Sequence, residues 1–262
     1  MQLNSSNYFS AEAMQTYMST SQFKQFDACQ SSAVAILNGQ YDDEIEAFIE
    51  GRYFEAIICG HREQFEEEYA ERILSGRGAT KGEPKSNYRA VVASANAFLR
   101  QPAFIDILAR CEQQTILTGL IAGVPFKCKI DFFDRATLSE WDAKCMRNFQ
   151  KVYNEREGHY EAWYFERGYH YQAAIERELI RQNFGGSGQF GLIAATKEPV
   201  PNVSWLVFSD EVMDNAIEIV KEFAPKYAAI KRGDRAPEPC GICDYCKQTI
   251  ILTEPREIIE YE

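Results

Sequence analysis

From Pro125 to Phe133 apolar and polar side chains alternate. Phe126, Cys128, Ile130 and Phe132 fall on one face, and Lys127, Lys129, Asp131 and Phe133 on the other. That period of two predicts a strand with one apolar face. A second strand is predicted at 138–145, where Asp142 and Lys144, two apart, share a face. If Asp131 lies opposite Asp142, Phe133 falls opposite Glu140 and six residues, Asp134 to Ser139, connect the strands. A connection of that length is allowed for a hairpin. The run QQTILTG at 113–119 predicts a strand just upstream, so the three form an antiparallel meander. Two further strands are predicted at 191–196 and 203–208, parted by the turn Glu198 to Asn202.

The remaining segments predict helices and loops. Residues 1–18 read as a polar, mobile lead-in. Ser19 and Gln22 have the form of a capping box, and Phe23, Phe26 and Val34 suit one or two short helices ending near Asn38-Gly39. The segment 44–58 predicts a helix with Ile45, Phe48, Ile49, Phe54 and Ile58 apolar. Gly51 interrupts it at a cost of about 1 kcal/mol, and leaves room for another backbone or a ligand. The glutamate-rich 63–72 reads as a solvated helix face and 74–86 as an exposed loop. Helices follow at 88–99 and at 102–109, the latter starting on a proline. After the polar stretch 147–158, residues 160–182 predict a long aromatic-rich helix, broken at Gly168 and stopped by FGGSG. On it Tyr169, Gln172 and Glu176 share one face. A last helix at 210–230 is expected to kink at Pro225, and 253–262 reads as an acidic, loosely held end. The sum is an α/β fold: a central mixed sheet of about five strands with helices on both faces, the 160–182 helix crossing over to the strand at 191–196.

A chain of 262 residues, 45% of them hydrophobic, is large enough for one sizeable core. No run reaches the roughly 18 apolar residues of a membrane helix, and the N-terminus has neither a basic nor an apolar leader region. A cytoplasmic setting is therefore expected, with the eight cysteines as thiols or metal ligands. The net charge of −11 argues against a broad nucleic-acid surface, which would rest on Lys and Arg. A narrow basic track or metal-mediated contact with phosphate is compatible with it.

Two constellations carry chemistry. In the register above, Asp131, Asp142 and Lys144 converge on one patch. Hard cations such as Mg2+ take carboxylate oxygens, waters and substrate phosphate, and a lysine there suits a water or a developing charge. The second is Cys240-Gly-Ile-Cys243-Asp-Tyr-Cys246. Two C-x-x-C steps sharing a cysteine are the local spacing of iron–sulfur ligation; a [4Fe–4S] cluster and tetrahedral zinc both need four ligands, so a fourth must come from elsewhere. Cys128 reads as core, Cys145 as packed on the side opposite Lys144, and Cys59 and Cys111 carry no signal. The three histidines are scattered, and neither a Ser-His-Asp order nor a Walker loop appears.

Asp131, ten residues, then Asp142-Ala143-Lys144 resembles the D…(D/E)xK core of the PD-(D/E)xK nucleases. RecB-like members carry an upstream Gly-x-x-x-Glu, here Gly51 to Glu55, and a later helix with glutamine near tyrosine, here Tyr169 and Gln172. The chain departs from the pattern in the Leu-Ser-Glu-Trp run before Asp142 and in Glu176, where a tyrosine is common. The resemblance is closest to phage-type, RecE-like (exonuclease VIII-like) proteins with a cysteine-rich tail. It implies a restriction-endonuclease-like core with Mg2+ or Mn2+ on Glu55, Asp131, Asp142 and the carbonyl of Ala143. Lys144 then positions or activates water and Gln172 orients substrate or water. It further implies that Cys29 joins Cys240, Cys243 and Cys246 around a structural [4Fe–4S] cluster, alternatively zinc. One domain is expected over 1–262: a helical lead-in at 1–40, a core at 41–235 and a cysteine-rich tail at 236–262. The implied function is a metal-dependent exonuclease on linear double- or single-stranded DNA in phage-type recombination or DNA processing, with a single-strand annealing protein as partner. Two other readings compete: a non-catalytic DNA-binding or assembly module of the same fold, and a zinc-binding scaffold unrelated to DNA.

Overall fold

A computed structural model describes residues 2–41 and 46–251. The N-terminal part holds α1 (Ala11–Thr16), β1 (Met18–Ser19), α2 (Thr20–Ala28), α3 (Gln30–Leu37), α4 (Glu46–Ile58), α5 (Arg62–Glu68), α6 (Ala70–Ile73), α7 (Ser86–Leu99) and α8 (Pro102–Arg110). Then come β2 (Glu112–Ile121), β3 (Val124–Asp134) and β4 (Ser139–Met146), a small hairpin of β5 (Val152–Asn154) and β6 (His159–Glu161), and helices α9 (Trp163–Glu166) and α10 (Tyr169–Phe184). The chain closes with β7 (Phe190–Thr196), β8 (Val203–Val207), α11 (Asp210–Arg232) and α12 (Asp244–Thr249).

The six-stranded sheet runs β1-β3-β4-β7-β8, with β2 also paired to β3. The meander β2-β3-β4 is antiparallel, and α10 carries the chain from β4 to β7, which pair in parallel. One face packs Phe126, Cys128, Ile130 and Leu192 against apolar residues of α2, α10 and α11. The other packs Phe132, Trp141 and Ile193 against α4, α7 and α8. β7 is buried along its whole length because helices cover both its faces. Gly191 is needed there: a side chain would collide with the Trp141 ring on the neighbouring strand. Ser19 and Gln22 form the expected capping box, which fixes the start of α2.

Several expectations are corrected. The lead-in is built into the fold: Tyr8, Ala13 and Met18 are buried, and β1 pairs with β3. Lys127, expected on a polar face, is fully buried because Tyr8 covers it; its ammonium donates to the Tyr8 carbonyl and sits 4.4 Å from the ring centroid. Burial lowers its pKa to about 8. The alternation along β3 breaks beside Asp131, since Phe133 rather than Phe132 joins the cluster of Ile130. The β3–β4 connection is shorter than expected, because Asp134 and Ser139 are themselves paired. The polar stretch 147–158 contributes β5, and 159–161 is a strand, not the start of the long helix. Phe48 is 56% exposed, and no protein atom lies within 4 Å of a Cβ built at Gly51, so no other backbone packs against that glycine. Ile45 and the acidic 253–262 lie outside the described residues. Among the described residues no helix is long and apolar enough to cross a membrane.

Candidate active site

β3 and β4 pair only over Phe132–Trp141, Phe133–Glu140 and Asp134–Ser139. Asp131 and Asp142 are the next positions in that register, and there the ladder ends. The Ala143 amide donates to Asp131 Oδ2 at 3.4 Å. On the far side of β3, the β2 ladder skips the position that register gives to Gln114, opposite Asp131. Gln114 has φ 55, an unusual backbone for a residue with a side chain. Its side-chain amide donates to Glu55 on α4 and, at 3.5 Å, to Asp131 Oδ1. Glu55 is thus linked to Asp131 through Gln114.

Asp142 and Lys144 face α10. Lys144 Nζ lies 2.7 Å from Asp142 Oδ1 and 2.6 Å from Oδ2. Gln172, on the first turn of α10, donates to Asp142 Oδ1 at 3.0 Å and to Glu176 Oε2 at 3.4 Å. Four expected residues therefore meet, with Glu55 one side chain away. Sequence reasoning missed Gln114, Glu140 and the role of Glu176. Glu140 is 1% exposed, and its carboxyl lies against that of Glu176. It sits two positions before Asp142 on the same strand face, and that spacing was the available signal. Gln114 left none, because its φ is not written in residue type.

The electrostatics follow from crowding carboxylates out of water. Burial, then Asp142 and Glu55, push Asp131 well above the usual carboxylate range, against the pull of Lys144. Burial, then Glu176 and Asp142, do the same to Glu140, and burial, Asp142 and Asp131 do so to Glu176. For Lys144 burial disfavours the charge, but Asp142, Tyr169 and Asp131 outweigh it and raise its pKa. One ammonium does not balance this many carboxylates. An oxygen-rich, anionic and partly buried donor set of this kind fits a hard divalent cation.

The second site is closed. Cys29, Cys240, Cys243 and Cys246 carry sulfurs within 4.8 Å of one another, a grouping unique among the described residues for His, Cys, Asp and Glu. Cys29 Sγ is 3.5 Å from Cys246 Sγ, and Cys240 Sγ is 3.9 Å from it. All four are free thiols. Cys29 caps the start of α3 and Cys243 the start of α12, each accepting a backbone N–H on sulfur at 3.5 Å. The Cys243 amide donates to Cys240 Sγ at 3.3 Å. Burial works against the Cys240 thiolate, yet the amides of Cys243 and Ile242 bring its pKa down to about 7. Four thiolates on one tetrahedral zinc at Zn–S about 2.3 Å stand about 3.8 Å apart, close to the 3.5 and 3.9 Å separations from Cys246.

A mixed sheet flanked by helices, with Asp131, Asp142 and Lys144 gathered at the end of its central ladder, defines a PD-(D/E)xK nuclease fold. The chain belongs to the family described as a PDDEXK-like domain of unknown function (DUF3799), whose model matches residues 19–249. Among solved structures it is similar to a putative exonuclease from Eubacterium rectale, with 28% identity and a TM-score of 0.86 over 98% of this chain and 97% of that one. No curated protein matches it.

Proposed function

We propose that the chain is a metal-dependent deoxyribonuclease of exonuclease type, using Mg2+ or Mn2+ on linear DNA. The observation that carries this is the meeting of Asp131, Asp142, Lys144 and Gln172 where the β3–β4 ladder ends. Asp131, Asp142, Glu55 and the Ala143 carbonyl would hold the cation. When bound, such an ion polarises a phosphoryl oxygen and lowers the pKa of bound water. Lys144 holds its proton at neutral pH, so it acts as a donor that orients the attacking water or steadies charge on the phosphate, not as the base. Gln172 fixes the Asp142 carboxylate, and Gln114 fixes Glu55 and Asp131. The family match and the likeness to a putative exonuclease support the nuclease reading; a cytoplasmic setting and a place in phage-type recombination beside an annealing protein are proposed with it. The cysteine site is structural in the same reading. Its sulfur spacing favours one zinc ion over the [4Fe–4S] cluster that the C-x-x-C-x-x-C spacing suggests, and metal analysis of anaerobically purified protein decides between them.

Linear DNA incubated with the protein and Mg2+ or Mn2+ is the test. Digestion that EDTA stops and Asp142→Asn abolishes is the expected result. Binding without digestion in either metal selects the non-catalytic module instead.

A further inference from the structure

Lys24 lies on α2, far in sequence from the carboxylate motif. Its stem crosses Gly168, the left-handed residue that starts α10 at φ 64. A Cβ at Gly168 would sit 2.8 Å from Lys24 Cδ, so glycine is required twice there, for its backbone and for the lysine stem. The stem carries the Lys24 ammonium to 5.0 Å from the centroid of the Tyr169 ring, and the Lys144 ammonium lies 5.3 Å from that same centroid. Two ammonium groups thus share one aromatic ring beside Asp142.

Nearby cations are already matched: Arg156 approaches Asp27 at 3.8 Å and Arg167 pairs with Glu166 at 3.0 Å. Lys24 donates to the Arg167 carbonyl at 3.3 Å and joins no ion pair among the described residues. Burial first, then the repulsion of Lys144, lowers its pKa to about 8, although Asp142 and Glu176 attract it. Lys24 also lines a cleft of about 720 Å3 with Gly168, Tyr171 and Arg156 and with the carboxylates Glu157, Glu161 and Glu166; the cleft runs on to Cys29 and Cys240. Cations held beside one another are favoured when an anion lies between them.

We propose that Lys24 is a substrate-binding residue: its ammonium, held with that of Lys144 against the Tyr169 ring, engages a phosphodiester next to the one cleaved. This rests on the nuclease reading above. The test is fluorescence anisotropy of labelled single-stranded and duplex oligonucleotides over a salt series, with Ca2+ replacing Mg2+, together with KM and kcat for digestion in Mg2+. Wild type, Lys24→Met and Lys24→Arg are compared, Lys24→Met keeping the apolar stem over Gly168. Lys24→Met is expected to bind about tenfold more weakly. The slope of log K against log salt should shrink by about 0.7 for a single strand or 0.9 for a duplex. KM should rise with kcat unchanged, and Lys24→Arg should recover the slope. If folded Lys24→Met keeps the wild-type affinity and slope while wild type digests DNA, the inference on Lys24 is overturned and the nuclease reading stands. If wild type neither binds nor digests, both fall. Lys24→Gln serves the same comparison if Lys24→Met does not fold.

Discussion

In the cysteine site, four sulfurs from the two ends of the chain lie within 4.8 Å of one another. In the carboxylate site the oxygens are engaged by protein donors: Lys144 and Gln172 on Asp142, Gln114 on Glu55 and Asp131. The first has the closed shell of a structural metal, with backbone amides aimed at the sulfurs. The second is over-supplied with negative charge and held by groups that can yield to an ion, a water or a phosphate. Ligand convergence marks the clip, and an unbalanced field marks the reactive centre.

The largest effect belongs to the clip. Cys29 and Cys246 are 217 positions apart, and a cross-link closing such a loop stabilises by roughly 5 kcal/mol on the chain-entropy estimate for disulfides. Cys29→Ser, or a strong chelator, should lower Tm sharply and release one equivalent of metal. A variant that melts with wild type and keeps its metal would show that Cys29 is no part of the clip. Next comes the reactive centre. Asp142→Asn and Lys144→Ala should each lose on the order of 100-fold or more in digestion rate. Asp142→Asn should not show the fall in Tm expected of the clip variant, whereas Lys144→Ala, which leaves Asp142 buried without its ammonium, should melt earlier than Asp142→Asn. Full activity in both would remove Asp142 and Lys144 from the chemistry.

The two regions were also unequally legible in the sequence. Asp131 and Asp142 were readable because the alternation on β3 and the shared face of Asp142 and Lys144 set Phe133 opposite Glu140, as observed. The three tail cysteines were readable from spacing alone, whereas Cys29 came only from family resemblance, since nothing local announces a partner at the far end of a chain. Lys127 misled because alternation gives faces but not what covers them; Tyr8 does. Gln114 and Lys24 stayed hidden for related reasons. One depends on a positive φ within a strand, the other on a helix crossing at Gly168. Such features arise from tertiary approach, to which periodicity is blind.

The smallest effect tests the unbalanced field itself. Asp131, Glu140 and Glu176 all have folded pKa values raised above the ordinary carboxylate range, chiefly by burial. A raised carboxyl binds its proton more tightly folded than unfolded. Its favourable contribution is complete below the unfolded value of about 4 and is lost as pH rises through the folded one. Metal-free protein should therefore weaken as pH climbs from acid toward neutrality and beyond. Divalent cation should restore more stability at higher pH, because it meets the charge that has just been exposed. Glu140→Gln keeps the shape and removes one of these titrations. It should leave stability at low pH nearly unchanged, raise it near neutral pH by about 1 kcal/mol, the usual scale for relieving a buried charge, and flatten the pH dependence. Urea titrations across pH, with and without Mg2+, read all three. A Glu140→Gln protein with the wild-type pH slope would mean that the strain lies with Asp131 and Glu176 alone.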